Sequence, residues 1–391
     1  MRRGRVFKRC VPCGKTVTAR RCVCGSDRLA WTYAVDVAPS GQPRKQALKG
    51  GFATKALAVQ AMNLRQVEEE QGTRIEPTRL TVEAWLAEWL PGMRSRVRGG
   101  TWVNYELTVR RHIVPAIGRV PLQQLTRARI KTLYADLQTR LSPKTVSNVH
   151  MTLRRSLRDA VEDGLIARNP ADQAYHLPRD GRPEMKVWDG AQVATFLDSV
   201  KDDRLFALWR LAATGCMRRG ELLGLRWADL DMEASSLGVQ RARVRGIDGW
   251  TTGKPKTTKG RRRIALDADT VTALRTHRKA QLEERMAFGP AWADEALVFC
   301  REDGTPLDPD SVTGMFERLA RRAGLPRIRL HDFTRHTAAS LLLAAGVNVK
   351  AVSERLGHSS AQMTLDVYSH VTPGIQEDAA ERLSRAIGGR M

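Results

Sequence analysis

Residues 330–371 read LHDFTRHTAASLLLAAGVNVKAVSERLGHSSAQMTLDVYSHV, and this stretch decides how the rest of the chain is interpreted. The guanidinium of Arg335 can clamp phosphate oxygens through its planar fork of donors. The imidazoles of His331 and His358 can position or move protons near neutral pH. Tyr368 is a candidate nucleophile that would form a covalent ester. Together these side chains predict phosphoryl transfer on a nucleic-acid backbone through a phosphotyrosine.

The whole chain is strongly basic. Its 391 residues include 65 Lys and Arg against 42 Asp and Glu, which gives a formal net charge of +23 and a pI near 10.5. The basic residues are spread along the sequence rather than confined to a tail. This balance favours a nucleic-acid partner, bound with salt-sensitive affinity. The length predicts two to four domains.

Apolar runs in the sequence are far shorter than a membrane span, and the basic N-terminus is not followed by the hydrophobic region of a secretory signal. We therefore expect a cytoplasmic protein with no membrane partner. Cysteine usage fits a reduced compartment, because the six Cys do not form a disulfide framework.

The motifs of residues 330–371 resemble the C-terminal signature of the tyrosine recombinases, the phage integrase family. The family pattern is an Arg followed by Gly-Glu, a Lys in a β-hairpin, His-x-x-Arg, Leu-Gly-His and a Tyr nucleophile. The resemblance implies a site-specific integrase that cuts and rejoins double-stranded DNA at attachment sites through a 3′-phosphotyrosine. It also implies a homotetramer on DNA, and catalysis that requires no ATP, metal or other cofactor.

The first Arg of the pattern lies in residues 214–227, which read TGCMRRGELLGLRW. The spacing to Gly-Glu selects Arg218 over Arg219, and Glu221 is spaced to hold Arg218 on a helix. In family sequences the Arg usually follows the Gly of Thr-Gly by two residues, whereas Arg218 follows Gly215 by three. We expect a loop upstream of Arg218 to absorb the extra residue.

Residues 253–266 read GKPKTTKGRRRIAL, a basic turn and a strand that resemble the Lys hairpin of the family. Aligning Pro-Lys-Thr and the closing Arg-x-x-x-Leu selects Lys256 rather than Lys254 or Lys259. The resemblance implies that this Lys is the general acid for the leaving 5′ oxygen. The alternative is that the charge run binds phosphate only.

The segment HDFTRHT departs from His-x-x-Arg by one residue, because Arg335 follows His331 by four positions rather than three. Positions i+3 and i+4 both share a helix face with position i, so the two side chains can still face one pocket. The Leu-Gly-His and Tyr motifs match the family without a gap. The resemblance assigns catalytic roles to six residues: Arg218, Lys256, His331, Arg335, His358 and Tyr368.

Four cysteines lie close together near the N-terminus: Cys10, Cys13, Cys22 and Cys24. Each pair turns back through a Gly, and four thiolates at such spacing predict a small structural zinc knuckle in residues 1–27. The second pair has one intervening residue rather than two. The alternative is a flexible basic tail with free thiols.

The remaining patterns divide the chain into domains. Residues 28–75 read as a β-hairpin and an Ala-rich helix, which resembles the arm-site-binding domain of some phage integrases; a structural cap is the alternative. Residues 79–165 show four amphipathic helices and resemble the helical, SAM-like core-binding domain of the family. A linker over 176–190 leads to a catalytic domain over 187–391. The expected fold is multidomain and mainly α with small β-sheets (α+β).

Two other functions fit the same residues. One is another tyrosine recombinase, such as a chromosome-dimer resolvase or a transposase, which often lacks the N-terminal arm domain. The other is a DNA-binding protein with a decayed catalytic site, which only the shifted spacings around Arg218 and His331 favour.

Overall fold

The computed structural model of the protein describes residues 4–37, 45–71, 75–172, 185–253, 261–358, 360, 362, 364, 365, 380, 381, 383–385 and 387. Across these residues the chain is helix-rich with three small sheets, so the predicted mainly helical class is confirmed. It divides into two compact units, residues 1–97 with 101–180 and residues 98–100 with 181–391. Among the described helices, none is both long and apolar enough to span a membrane.

The first unit begins with an antiparallel four-stranded sheet. Its strands are β1 (Gly4–Cys10), β2 (Thr16–Val17), β3 (Leu29–Asp36) and β4 (Gln46–Phe52), in the order β2-β1-β3-β4, and helix α1 (Lys55–Gln71) packs on it. Residues 4–10 pair with residues 29–35 over the full length of β1. The Cys-rich segment and the predicted hairpin therefore form one sheet, whereas the sequence patterns treated them as separate regions.

Helices follow in chain order. They are α2 (Val82–Met93), α3 (Gly99–Thr108), a π-turn (Val109–Ile113), α4 (Val114–Ile117), α5 (Arg127–Gln138) and α6 (Pro143–Glu162). Three of them begin after a hydroxyl side chain, because Thr81, Thr126 and Ser142 each accept a hydrogen bond from the backbone N–H three residues further on. These bonds satisfy donors that have no partner within the helix.

A buried carboxylate ties two of these helices together. Asp159 on α6 is 4% exposed, and its Oδ2 accepts hydrogen bonds from Nε1 of Trp89 at 2.8 Å and from Nη1 of Arg96 at 3.4 Å. A buried indole N–H requires an acceptor. Asp159 therefore fixes the position of α2 on α6, inside a core of Trp and Leu side chains.

The second unit contains α7 (Gly190–Ser199), α8 (Phe206–Thr214), α9 (Arg219–Leu223), β5 (Leu230–Asp231), β6 (Ser236–Val239), β7 (Ala242–Arg245), β8 (Trp250–Gly253), β9 (Arg262–Ala265), α10 (Ala268–Phe288), α11 (Pro309–Arg322), a π-helix (Asp332–Thr337), α12 (Ala338–Ala344) and α13 (Val349–Leu356). Strands β5, β6 and β9 form one antiparallel sheet, and β7 pairs with β8 in a second. Strand β9 lies against α13. This contact shapes the candidate active site described below.

An aromatic cluster forms the core of this unit. The ring of Phe333 lies 5.0 Å from that of Phe316, 5.2 Å from Phe196 and 5.3 Å from Trp188. The backbone N–H of Trp188 also donates to Oγ1 of Thr337 at 3.2 Å. Because Phe333 and Thr337 both belong to the π-helix, the core holds that helix at both of its ends.

We predict that Asp159→Ala lowers the free energy of unfolding by about 2 kcal/mol or more, because it leaves the Trp89 indole N–H buried without an acceptor. The measurement is urea unfolding followed by tryptophan fluorescence. The control is Asp136→Ala, since that carboxylate is 59% exposed and pairs with Arg140 at 2.7 Å on a helix surface. The control should cost less than about 1 kcal/mol, and equal losses would contradict the prediction.

Candidate active site

Arg218 lies at the start of α9, directly after a short turn. Helix α8 ends at Thr214, and Cys216 then adopts a left-handed backbone conformation with φ of 52°. Cys216 is fully buried, and a non-glycine residue in this conformation is uncommon. The left-handed residue reverses the chain, so the turn contains the extra residue that separates Arg218 from Gly215 in the sequence.

Glu221 holds Arg218 in place, as its spacing in the sequence indicated. Its Oε1 accepts from Nη1 of Arg218 at 2.7 Å, and its Oε2 accepts from the Arg218 backbone N–H at 3.0 Å and from Nη2 of Arg262 at 2.9 Å. Burial opposes ionisation of this carboxyl, which is 3% exposed, but the charges and hydrogen bonds of Arg262 and Arg218 outweigh it. The pKa of Glu221 is therefore lowered, and its negative charge is retained between two guanidiniums.

Arg335 lies in the π-helix and is 3% exposed. Its Nη1 donates to the carbonyl oxygens of Leu356 at 2.8 Å and Cys216 at 3.1 Å. The sequence predicted an ordinary helical turn here. A π-helix takes one more residue per hydrogen-bonded turn than an α-helix, so the residue inserted between His331 and Arg335 is contained within the helix.

Two histidines lie beside these arginines. His358 is half-buried, and burial, then the charges of Arg335 and Arg218, lower its pKa to about 4. The residue His331 is exposed, and partial desolvation together with the charge of Arg335 lowers its pKa. Nδ1 of His358 is 2.9 Å from Oγ1 of Thr364. At neutral pH both imidazoles are uncharged, so each offers one N–H donor and one acceptor nitrogen rather than a positive charge.

The end of helix α13 is where these groups meet. Three successive backbone carbonyl oxygens there each accept a hydrogen bond from a different arginine side chain. The carbonyl of residue 355 accepts from Nε of Arg262 at 2.6 Å, that of residue 356 from Nη1 of Arg335 at 2.8 Å, and that of residue 357 from Nη2 of Arg218 at 3.5 Å. Gly357 ends the helix in the left-handed conformation, with φ of 64°, which glycine adopts without strain. The next residue is His358, so the imidazole lies close to the guanidiniums of Arg218, Arg262 and Arg335.

An open cavity of about 850 Å³ adjoins this helix end, and its lining includes Arg261, Arg262, Lys350, Arg355 and His358. The cationic side chains and the imidazole on one part of this lining suit a phosphate group. Of the six residues predicted to be catalytic, Arg218, Arg335 and His358 lie at the end of α13, and His331 is near enough to Arg335 for that charge to act on its imidazole. Of these four, His358 lines the cavity. Lys256 and Tyr368 lie outside the described residues, as do Lys254 and Lys259.

Arg262 is a site residue to which the sequence assigned no role. It appeared only as the closing Arg of the hairpin pattern, within a run of three arginines. Its burial follows from contacts with residues distant in the chain, and such contacts leave no local periodicity. The alignment with the Lys hairpin was the one sequence signal that marked it.

The four N-terminal cysteines form a separate cluster. Their sulfur atoms all lie within 4.8 Å of one another, with Cys10 and Cys22 buried and Cys13 and Cys24 exposed. The backbone N–H of Lys15 lowers the pKa of Cys13 to about 7, so one thiolate is accessible at neutral pH. Four sulfurs at this separation can surround a zinc ion at Zn–S distances of about 2.3 Å.

The described fold is helix-rich and gathers several guanidiniums at one helix end, an arrangement that suits the binding of a polyanion. The Phage integrase family model matches residues 186–374, and the model of its N-terminal SAM-like domain matches residues 81–138. A tyrosine recombinase XerC-like protein of Caldanaerobacter subterraneus is 31% identical over 325 residues, which cover 78% of this chain and 81% of that protein. The chain belongs to the phage integrase (tyrosine recombinase) family.

Other relatives support the same family assignment. The ICEBs1 integrase of Bacillus subtilis is 27% identical and covers 84% of this chain and 89% of its own length. The Tn1549 transposon integrase, solved in complex with a circular intermediate DNA, matches with a TM-score of 0.65 at 26% identity, over 78% of this chain and 99% of that one. The chain is thus a site-specific recombinase that cleaves and rejoins DNA, of the kind that integrates mobile elements.

We predict that Cys216→Val destabilises the second unit by about 1–3 kcal/mol more than Cys300→Val, because a β-branched side chain is strained in the left-handed conformation. Cys300 is the matched control, since it is also buried but is not among the residues with positive φ. The measurement is the free energy of unfolding in urea. Equal losses would show that the turn at Cys216 carries no special backbone requirement.

Proposed function

We propose that the chain cleaves DNA with Tyr368 as nucleophile and with Arg218, Lys256, His331, Arg335 and His358 in the roles that the family pattern gives them. The observation that carries the proposal is the convergence of Arg218 and Arg335 on the end of α13, next to His358. Three motifs far apart in the sequence supply these groups. Their meeting at one helix end supports a single phosphate-binding site.

The proposed reaction is a transesterification in two steps. The Tyr368 phenolate oxygen attacks the scissile phosphorus, a 3′-phosphotyrosyl bond forms, and the bond to the 5′ oxygen breaks. Lys256 protonates that oxygen, which leaves as a hydroxyl. In the second step a 5′ hydroxyl of the partner strand attacks the phosphotyrosine, a phosphodiester forms, and the tyrosine is released. Because one ester replaces another, the bond energy is conserved and no ATP is required.

The described residues have specific tasks in these steps. The guanidiniums of Arg218 and Arg335 offset the negative charge that develops on the non-bridging oxygens of the pentavalent transition state. His331 and His358 are uncharged at neutral pH, so they act as hydrogen-bond donors or proton carriers at the same oxygens. In the tyrosine recombinases such side chains take the place that a metal ion has in other phosphoryl-transfer enzymes.

The proposed partner is double-stranded DNA at attachment sites. The net charge of +23 supports salt-sensitive contact with phosphates over a large surface. A related transposon integrase has been solved on a circular intermediate DNA. Strand exchange joins two duplexes and uses four active sites, so we propose a homotetramer as the active assembly, with residues 79–165 as the core-binding domain and residues 187–391 as the catalytic domain.

We also propose that Cys10, Cys13, Cys22 and Cys24 hold a structural zinc ion that has no part in the reaction. The sulfur separations support this donor set. The knuckle would brace β1 and β2 at the end of a sheet whose surface includes Arg5 over the ring of Phe7 and Lys8 over that of Trp31, each about 5 Å from the ring centroid. Such a sheet suits the arm-site DNA-binding role proposed for residues 28–75.

We predict that wild-type protein forms a covalent adduct with nicked attachment-site DNA and that Tyr368→Phe forms none, because phenylalanine has no oxygen to attack phosphorus. The measurement is a denaturing gel after the reaction. The control is Tyr105→Phe, whose ring packs against Trp89 at 5.4 Å and which should form the adduct. Absence of adduct in every protein, with DNA still bound, would favour a binding protein with a decayed site. Adduct in Tyr368→Phe would identify another nucleophile.

We predict that the purified chain holds about one zinc ion per molecule, as four thiolate ligands would bind it. The measurement is metal content by mass spectrometry, together with the visible spectrum after replacement by Co²⁺, which reports tetrahedral thiolate coordination. Cys13→Ser should lose the metal or its spectrum, whereas the control Cys300→Ser should keep both. The zinc-knuckle proposal would be contradicted if the protein with all its cysteines reduced contained no metal and did not bind added Co²⁺.

A further inference from the structure

Arg262 is buried at the centre of the site although it is not one of the six residues of the catalytic pattern. It is the first residue of β9, and its side chain is 7% exposed. A buried guanidinium is costly to desolvate unless its donors are paired. Its position therefore requires acceptors on every side, and the structure supplies them from three elements.

Three acceptors surround this guanidinium. Nε of Arg262 donates to the carbonyl oxygen of Arg355 at 2.6 Å, at the end of α13. Nη2 donates to Oε2 of Glu221 at 2.9 Å and lies 3.4 Å from the carbonyl oxygen of Cys216. One side chain thus joins the helix that leads to His358, the carboxylate that holds Arg218, and the turn that precedes it.

Two of these acceptors are shared with the proposed catalytic arginines. Glu221 lies between Arg262 and Arg218, and the Cys216 carbonyl accepts from both Arg262 and Arg335. A shift of Arg262 would therefore move the supports of both catalytic guanidiniums. A lysine could not replace it fully, because an ammonium is a point charge without the planar fork that reaches acceptors on different sides.

We propose that Arg262 is a positioning residue for strand cleavage: it locks Glu221, and through it Arg218, against the end of α13 that presents His358. The inference rests on the proposed catalytic function of Arg218 and His358. The alternative is that Arg262 only stabilises the fold, in which case its loss would lower stability without changing the chemical step of the folded protein.

The test compares wild type with Arg262→Lys and Arg262→Ala. The probe is nicked attachment-site DNA, and the readouts are the single-turnover cleavage rate at saturating protein, the dissociation constant for the same DNA, and the melting temperature. Arg275→Ala is the control, because its side chain is exposed on α10, donates to the backbone carbonyl oxygen of Met232 at 3.3 Å and is not among the residues that line the cavity.

We expect Arg262→Ala to cleave about 100-fold more slowly at saturation, the size of effect that a misplacement of about 1 Å produces. DNA affinity should change little by comparison. Arg262→Lys, which keeps the charge, should recover part of the rate, and Arg275→Ala should cleave like wild type. Loss of rate at saturating protein, with the folded fraction held equal, separates positioning from simple destabilisation.

The pH profile provides a second readout that a purely structural role would not change. Arg262 lowers the pKa of Glu221, so its removal raises that pKa while the carboxyl remains buried. As pH falls, Glu221 in Arg262→Ala should become protonated before Glu221 in wild type, and its hold on Arg218 should weaken. The acid limb of the cleavage rate should therefore lie at higher pH in Arg262→Ala than in wild type.

Either of two results would overturn the inference while leaving the proposed function intact. In the first result, Arg262→Lys and the folded fraction of Arg262→Ala both cleave at the wild-type rate and show the wild-type pH profile. The other is a rate loss that tracks the unfolded fraction, with no shift of the acid limb. If wild type itself forms no adduct, the proposed function fails, and this inference fails with it.

Discussion

The carbonyls at the end of helix α13 are the constraint on which the rest of the site depends. The last carbonyls of a helix have no partner within it and carry the negative end of its dipole. Here three of them in succession accept from Arg262, Arg335 and Arg218. Three guanidiniums would otherwise repel one another at such close range. The helix end and the single carboxylate of Glu221 hold them together, and the sequence then places His358 immediately beyond.

The two shifted spacings follow from the same constraint. Phe333 is fixed in the aromatic core, and Arg335 is fixed by the end of α13, so an extra residue near them cannot move either group. It is contained instead in the wider turn of a π-helix. Before Arg218, the left-handed backbone of Cys216 has the same effect. Both adjustments meet at the Cys216 carbonyl, which accepts from Arg335, so the altered spacings alone do not indicate a decayed site.

Much of this arrangement could be predicted from local sequence, and the rest could not for identifiable reasons. Side-chain caps such as Thr81 and the pairing of Arg218 with Glu221 depend on residues three apart, so a linear pattern contains them. The π-helix does not show in the pattern, because one wide turn is too short to change the apolar period. The burial of Arg262 is equally hidden, since a run of three arginines resembles a solvated face until α13 packs beside it.

In the proposed reaction, the charge arrangement of the site favours the transition state over the bound substrate. A phosphodiester carries one negative charge, whereas the pentavalent transition state distributes about two over its oxygens. Arg218 and Arg335 are held by Glu221 and by backbone carbonyls in the absence of DNA. Because the pKa of each of His331 and His358 is lowered, the proposed mechanism has these imidazoles add directed hydrogen bonds without a positive charge that would strengthen the hold on the ground-state phosphate. Fixed donors aimed at developing charge accelerate a reaction, while uniform attraction only tightens binding.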